Sequence, residues 1–228
     1  MTPDLREKLL AGLKDGSIVP YLGPGVLADV KNAASGAPIP ADSNSLIYAM
    51  NDGKPMAPKL MYEFPRAAMN VEVKRGRSAV TKFLKRTYGE TAWTRAAAHD
   101  WIRAISPHYV IDINRDTQLQ DSYAVSIPPE VKELRKGKQY LLIGLRLNRD
   151  TERMVMSDMI YAAAQPAGWV LIQEPTDKER RFCKKLGLEL IEANLFDLIR
   201  AAVAAGVARG EPAQPARTVE QTRTDATE

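Results

Sequence analysis

Five short apolar runs, separated by segments with helical character, constrain the fold of this chain more than any other feature. Strands that alternate with helices pair in parallel, and helices then cover both faces of the sheet. We therefore predict an α/β fold with a Rossmann-like parallel sheet. The predicted strands are residues 18–22, 108–113, 139–145, 169–173 and 188–191.

The predicted helices divide the chain into one domain and a tail. Between the first two strands, short helices at 43–50, 57–74, 77–87 and 94–105 form a small helical insert over about residues 43–105. Pro65 is expected to break or kink the second of them. Further helices are predicted at 150–163, after the capping box Thr176–Glu179, and from Asn194 to about residue 208. We assign residues 1–208 to one nucleotide-binding domain and expect residues 209–228 to be a disordered polar tail.

Composition excludes several classes of protein. A single cysteine, Cys183, cannot form an internal disulfide or a zinc site of cysteine pairs, and we expect no metal. No stretch approaches the run of about 20 apolar residues that a membrane span requires. The charged N-terminal segment does not resemble a signal peptide. These features predict a cytoplasmic protein with no membrane partner.

The net charge of +4 comes from basic clusters at 74–77, 82–86, 132–138 and 178–185. We interpret these clusters as solvated helix faces. No aromatic residues interleave them as in proteins that bind single strands, so nucleic acid is not an expected partner. A protein partner or a homo-oligomer remains open.

A glycine turn, Gly23-Pro24-Gly25, follows the first predicted strand and leads into Val26. Glycine allows the backbone to approach a pyrophosphate closely, and consecutive amides can face the anion. The turn contains only half of the dinucleotide fingerprint, because Ala28 occupies the third glycine position and Pro24 lacks an N–H. Read alone, it fits an ordinary strand-to-loop turn as well as a binding site.

Polar residues also follow the second and third predicted strands. Ligands of doubly wound sheets lie beyond the carboxyl ends of the strands, which points to the loops after residues 22, 113 and 145. Asn114, Arg115 and Asp116 follow one strand, and Gly144 and Arg146 end the next. An Asx turn or a helix cap is the alternative for Asn114, and helix capping is the alternative for Asn148 and Asp150.

The order of these motifs resembles the sirtuin-like proteins of bacteria, in particular the broad branch that does not consist of ordinary deacylases. The resemblance covers about residues 1–200. Six segments carry it: IVPYLGPGV, SGAPIP, LMYEFPRAAMN, AAAHDWIRAI, YVIDINRD and LLIGLRLNRD.

The resemblance implies that NAD or an ADP-ribose derivative is the ligand. It implies that Gly23 and Gly25, with Pro24 and Val26 in the same turn, lie against the phosphates. It also implies that Asn114 and Asp116 lie near the nicotinamide-side ribose, and that Gly144 and Arg146 lie beside the adenosine half.

The histidines depart from the pattern of that family, in which the catalytic histidine follows the asparagine motif. This chain has only His99 and His108, and both precede Asn114. We interpret His99 as a core or capping residue and place His108 at the opposite end of the sheet. Without that base the ribose hydroxyl lacks its proton acceptor, which argues against protein deacylation.

Three functions remain open. The first is a sensor or catalytically degenerate protein that binds NAD or ADP-ribose. The second is an NAD glycohydrolase, in which Asp112 or Asp116 stabilises an oxocarbenium-like state and Asn114 positions the ribose or a water. The third is a non-catalytic scaffold. A filled crevice at Gly23 would favour the scaffold, and an open one would favour the first two.

Overall fold

A computed structural model describes residues 1–119, 137–147 and 168–204 of the 228-residue chain. Within these residues, the strands are β1 (Ile18–Leu22), β2 (Ile111–Asp112), β3 (Gln139–Ile143), β4 (Gly168–Leu171) and β5 (Leu188–Ile191). All pairings are parallel and the order across the sheet is β2-β1-β3-β4-β5. The predicted α/β fold with a parallel sheet is confirmed.

The helices of the described residues are α1 (Pro3–Asp15), α2 (Ser43–Met50), α3 (Phe64–Arg75), α4 (Ser78–Leu84), α5 (Ala97–Ile105), α6 (Asp177–Leu186) and α7 (Leu195–Ala204). A 3-10 turn occupies Pro24–Leu27 and a π-helical turn occupies Lys85–Glu90. None of these helices is long and apolar enough to cross a membrane. The predicted helix at 150–163, most of the predicted connection at 117–137, Asn148, Asp150 and the tail at 209–228 lie outside the described residues.

Side chains alternate between the two faces of the sheet, and each face has its own core. Ile18 and Leu22 of β1 face a cluster that includes α1, α5 and α7, whereas Val19 and Tyr21 face a cluster that includes α6. Helices α2, α3 and α4 pack around a third cluster of their own. The predicted insert extended to residue 105, whereas the apolar side chains of α5 belong to the first core of the sheet.

Pro20 lies inside β1, which has neighbours on both sides. The N–H of Gly23 donates to Ile143 of β3, whereas the carbonyl of Leu22 accepts from Ile113 at the end of β2. Alternate residues of a strand face opposite neighbours, so Pro20 faces the β2 side. Pairing with β2 begins only at Tyr21. The proline therefore removes no ladder hydrogen bond, because its missing donor has no strand opposite it.

Two of the boundaries that differ from the sequence prediction have clear physical reasons. Pro65 stands in the first turn of α3 and starts that helix, rather than breaking a helix that begins at residue 57. The second predicted strand, 108–113, is reduced to Ile111–Asp112, because β2 is an edge strand that pairs only with the last two residues of β1. Both errors concern boundaries, and neither changes the order of the elements.

Candidate functional site

A cavity of about 920 Å³ lies beyond the carboxyl ends of the sheet. Loops that follow β1, β3, β4 and β5 line it, together with the start of α2. The chain passes from β1 to β2 on one side and then to β3 on the other, so the order of the strands reverses beside β1. A crevice at such a reversal is where open α/β sheets bind ligands.

The glycine turn forms part of the cavity floor, but its amides donate within the protein. Gly23 N–H donates to the Ile143 carbonyl at 2.8 Å, and Gly25 N–H donates to the Gly144 carbonyl at 2.7 Å. Val26 N–H donates to the Gly23 carbonyl at 3.1 Å, and Pro24 has no N–H. A ligand at this turn would therefore meet the bare Cα of Gly25 rather than a row of free amides.

Glycine is required here because the turns after β1 and β3 touch. A Cβ added to Gly25 would lie 2.9 Å from Cα of Gly144, and one added to Gly23 would lie 2.3 Å from a methyl of Leu145. Gly144 has φ +69°, and its added Cβ would lie 2.5 Å from the Val26 nitrogen. The glycines thus hold the two turns together beside the cavity.

Asn114 joins the segment after β2 to the glycine turn. Its side-chain amide donates to the Gly23 carbonyl at 3.3 Å and to Asp112 Oδ1 at 2.8 Å. Its backbone N–H also donates to Asp112 Oδ1, at 3.0 Å, which makes an Asx turn whose acceptor side chain belongs to Asp112 rather than to Asn114. The Asn114 side chain therefore has a structural role, and its contact with Gly23 brings it to the predicted ligand turn as well.

Asp112 and Asp116 form an acidic cluster behind Asn114, and His99 lies beside Asp116. Burial raises the pKa of Asp112 and the charge of Asp116 raises it further, against the opposing effects of Asn114 and His99. Asp116 is 4% exposed, and its Oδ1 lies 3.9 Å from Nδ1 of the fully buried His99. His99 is in the core as expected, but sequence spacing did not reveal its contact with Asp116.

Arg146 lines the cavity, yet its charge is already paired. The guanidinium donates to Glu179 Oε2 at 2.9 Å and to the Gln173 carbonyl at 2.9 Å. Although burial acts to raise the pKa of Glu179, hydrogen bonds from Thr176 and Leu147 and the charge of Arg146 lower it below its usual value. Glu179 also completes the predicted capping box, so it fixes Arg146 and the loop after β3 to the start of α6.

Tyr88, in the π-helical turn, lies between the helical insert and the sheet. Its hydroxyl donates to the carbonyl of Pro40. Burial raises its pKa to about 12, with Arg115 opposing and Asp116 and Asp42 contributing to the shift. Asp42 caps α2 through Asn44 and Ser45 and also lines the cavity. The pKa of Tyr88 thus depends on charges both at the cavity and in the acidic cluster.

Of the predicted site residues, Pro24, Gly25, Gly144 and Arg146 line the cavity. Gly23 and Val26 support its floor, whereas Asp112, Asn114 and Asp116 lie behind the glycine turn and are not among the residues that line it. Sequence reasoning missed Asp42, Asn44, Tyr62, Gln173, Glu174 and Asn194, which also line it. Asn194 had been recognised as the cap of α7, and its Oδ1 does accept from Phe196.

The described residues contain no group of three or more acidic, histidine or cysteine side chains placed to hold a metal ion. No protein-family model matches the chain, and no curated protein matches it significantly.

Proposed function

We propose that this chain binds NAD or an ADP-ribose derivative, as a sensor or as a catalytically degenerate protein of the sirtuin-like type. The observation that carries the proposal is the cavity of about 920 Å³ at the strand-order reversal of a parallel sheet. This volume is at the upper end of the range for small-molecule and cofactor sites, as an extended dinucleotide requires.

The shape of the cavity suggests how such a ligand would lie. The pyrophosphate would cross the floor at Gly25 and Gly144, where absent side chains leave room for it. The nicotinamide-side ribose would point toward the glycine turn and Asn114. The adenosine half would lie toward Arg146 and the loops after β4 and β5, where Gln173 and Asn194 supply polar groups.

Adding a negative charge to the cavity wall tests this proposal. Ala28 is exposed and lines the cavity. We expect Ala28→Glu to weaken binding of NAD and ADP-ribose at least about tenfold, because it adds bulk and negative charge near the pyrophosphate. Isothermal titration calorimetry measures the effect.

The matched control is Ala34→Glu, because Ala34 is also exposed and lies outside the cavity lining. It changes the net charge by the same amount and should bind like the wild type. Absence of heat at millimolar ligand in the wild type, or an equal loss of affinity in both variants, would contradict the proposal.

The acidic cluster favours NAD glycohydrolysis as a second candidate. In this reaction water adds to C1′ of the ribose as nicotinamide leaves, and positive charge develops on the sugar ring. Asp112 and Asp116 carry the negative charge that stabilises such a state, and Asn114 stands in front of them, fixed to Asp112 and Gly23.

If the chain is a hydrolase, Asn114→Ala should lower nicotinamide release at least about a hundredfold. Asn70→Ala in α3 is the matched control, because it makes the same change in the helical insert and away from the cavity. Equal rates for the wild type and Asn114→Ala would remove the role of Asn114, and no release by the wild type would remove the hydrolase assignment. A scaffold function has less support, since Leu145 packs against Gly23 but the crevice is open at Gly25.

A further inference from the structure

His99 and Asp116 are buried together without a full set of hydrogen bonds. The His99 side chain is 0% exposed and that of Asp116 is 3% exposed. Within the part of the chain that the structure describes, neither ring nitrogen of His99 has a hydrogen-bond partner, and Asp116 Oδ2 has none. Buried polar groups are nearly always satisfied, so a pair of this kind calls for an explanation.

Asp116 Oδ1 can supply the acceptor that Nδ1 of His99 lacks. The distance from Nδ1 to Oδ1 is 3.9 Å, which is short enough for electrostatic contact and longer than a hydrogen bond. A buried carboxylate needs donors, and an imidazole with its proton on Nδ1 can donate to that carboxylate. A shift of less than about one ångström in either side chain would close the bond.

The pair lies where it can control the segment that carries Asn114. Asp116 Oδ1 accepts from Gln118 N–H at 3.0 Å, and Gln118 Oε1 accepts from Ala96 N–H at the start of α5, the helix of His99. Asp112 at the other end of the segment holds Asn114. Residues 112–118 are thereby fixed to α5 on one side and to the glycine turn on the other.

The other charged groups near the pair do not replace His99. Arg115 stacks on the ring of Phe64 at 4.6 Å and is exposed. Asp29 accepts from Ala97 N–H and adds negative charge at the start of α5. Asp112 and Tyr88 contribute acidic groups. Unlike these groups, His99 is fully buried and places a ring nitrogen 3.9 Å from Asp116 Oδ1.

We propose that His99 donates from Nδ1 to Asp116 and thereby acts as a positioning residue that sets Asn114 against the glycine turn of the nucleotide site. The inference rests on the proposed nucleotide binding for its functional consequence. It does not make His99 a catalytic residue, since the imidazole is buried behind the segment and does not line the cavity. It gives His99 a role beyond filling the core.

The first test is independent of any ligand. The chain contains two histidines, so ring ¹⁵N spectra of the full-length protein resolve both, and His108→Gln assigns them. We expect the His99 proton on Nδ1, and we expect Asp116→Asn to shift that nitrogen while leaving His108 unchanged. A spectrum with Nδ1 of His99 unprotonated overturns the proposal even if the Asp116 variant does not fold.

The second test separates positioning from packing. An asparagine amide nitrogen lies the same number of bonds from Cβ as Nδ1, and a glutamine amide nitrogen corresponds to Nε2. His99→Asn should therefore bind ADP-ribose within about threefold of the wild type, whereas His99→Gln should lose at least about tenfold, at temperatures where both are folded. Equal affinity in the two variants overturns the positioning role. If the wild type binds neither NAD nor ADP-ribose, the proposed function fails, and the ¹⁵N spectra still decide whether the pair exists.

Discussion

Replacing Gly144 with alanine should lower the free energy of unfolding by about 2–5 kcal/mol, the sum of a left-handed backbone penalty and a core clash. Gly144 has φ +69°, where an L-residue is strained. Its new Cβ would also lie 2.5 Å from the Val26 nitrogen and 2.9 Å from the Gly25 carbonyl carbon. These neighbours are backbone atoms, so relief requires the turns after β1 and β3 to separate.

Gly137→Ala is the matched control for this change. Gly137 has nearly the same φ, +66°, but an added Cβ there meets none of the described residues within 4 Å. We expect it to cost only about 1–2 kcal/mol, the backbone penalty alone. Urea denaturation of both variants gives the comparison. Equal losses would show that the contact between the two turns does not hold the cavity floor.

Helices and strands whose ends are specified by neighbouring residues were predicted well. Thr2 caps α1, Thr176 and Glu179 form the capping box of α6, and β1 and β5 have the predicted bounds. Caps and short apolar runs depend on neighbouring residues, so the sequence contains the information that fixes them. The parallel sheet followed from the alternation of these elements.

The cavity was predicted only in part, because its walls come from distant segments. The rule that ligands lie beyond the carboxyl ends of the strands identified the turns after β1 and β3. The loops after β4 and β5 and the start of α2 complete the lining. The contact of Gly25 with Gly144 and that of His99 with Asp116 depend on how β1, β3 and α5 pack. No spacing in the sequence specifies such a contact.

The second large effect concerns Asp112, which we expect to reduce stability at neutral pH. Burial, with the charge of Asp116, raises the pKa of Asp112 above the usual value for an aspartate. The folded protein therefore holds this proton at pH values where the unfolded chain has released it. Stability is then favoured at low pH and falls as pH rises through the raised pKa. A buried carboxylate that remains charged above that pH destabilises the fold.

Asp112→Asn should accordingly raise the melting temperature by about 2–4 °C at neutral pH, equivalent to about 1 kcal/mol in a domain of this size. The asparagine oxygen can still accept from Asn114, so the Asx turn is preserved. The gain should disappear as pH falls below about 3, where aspartate is largely protonated in both states. Thermal denaturation across this range provides the measurement.

Asp15→Asn is the matched control with the opposite sign. Hydrogen bonds from Ser17 lower the pKa of the exposed Asp15, so its contribution to stability is present at neutral pH and is lost on acidification. That variant should lose stability where Asp112→Asn gains it.

The stability gain of Asp112→Asn could coincide with weaker ADP-ribose binding or slower nicotinamide release. That result would mean that the carboxylate is retained for the ligand, since function commonly tolerates local instability. If Asp112→Asn instead loses stability at neutral pH, Asp112 is a structural cap, and the acidic cluster no longer supports a hydrolase.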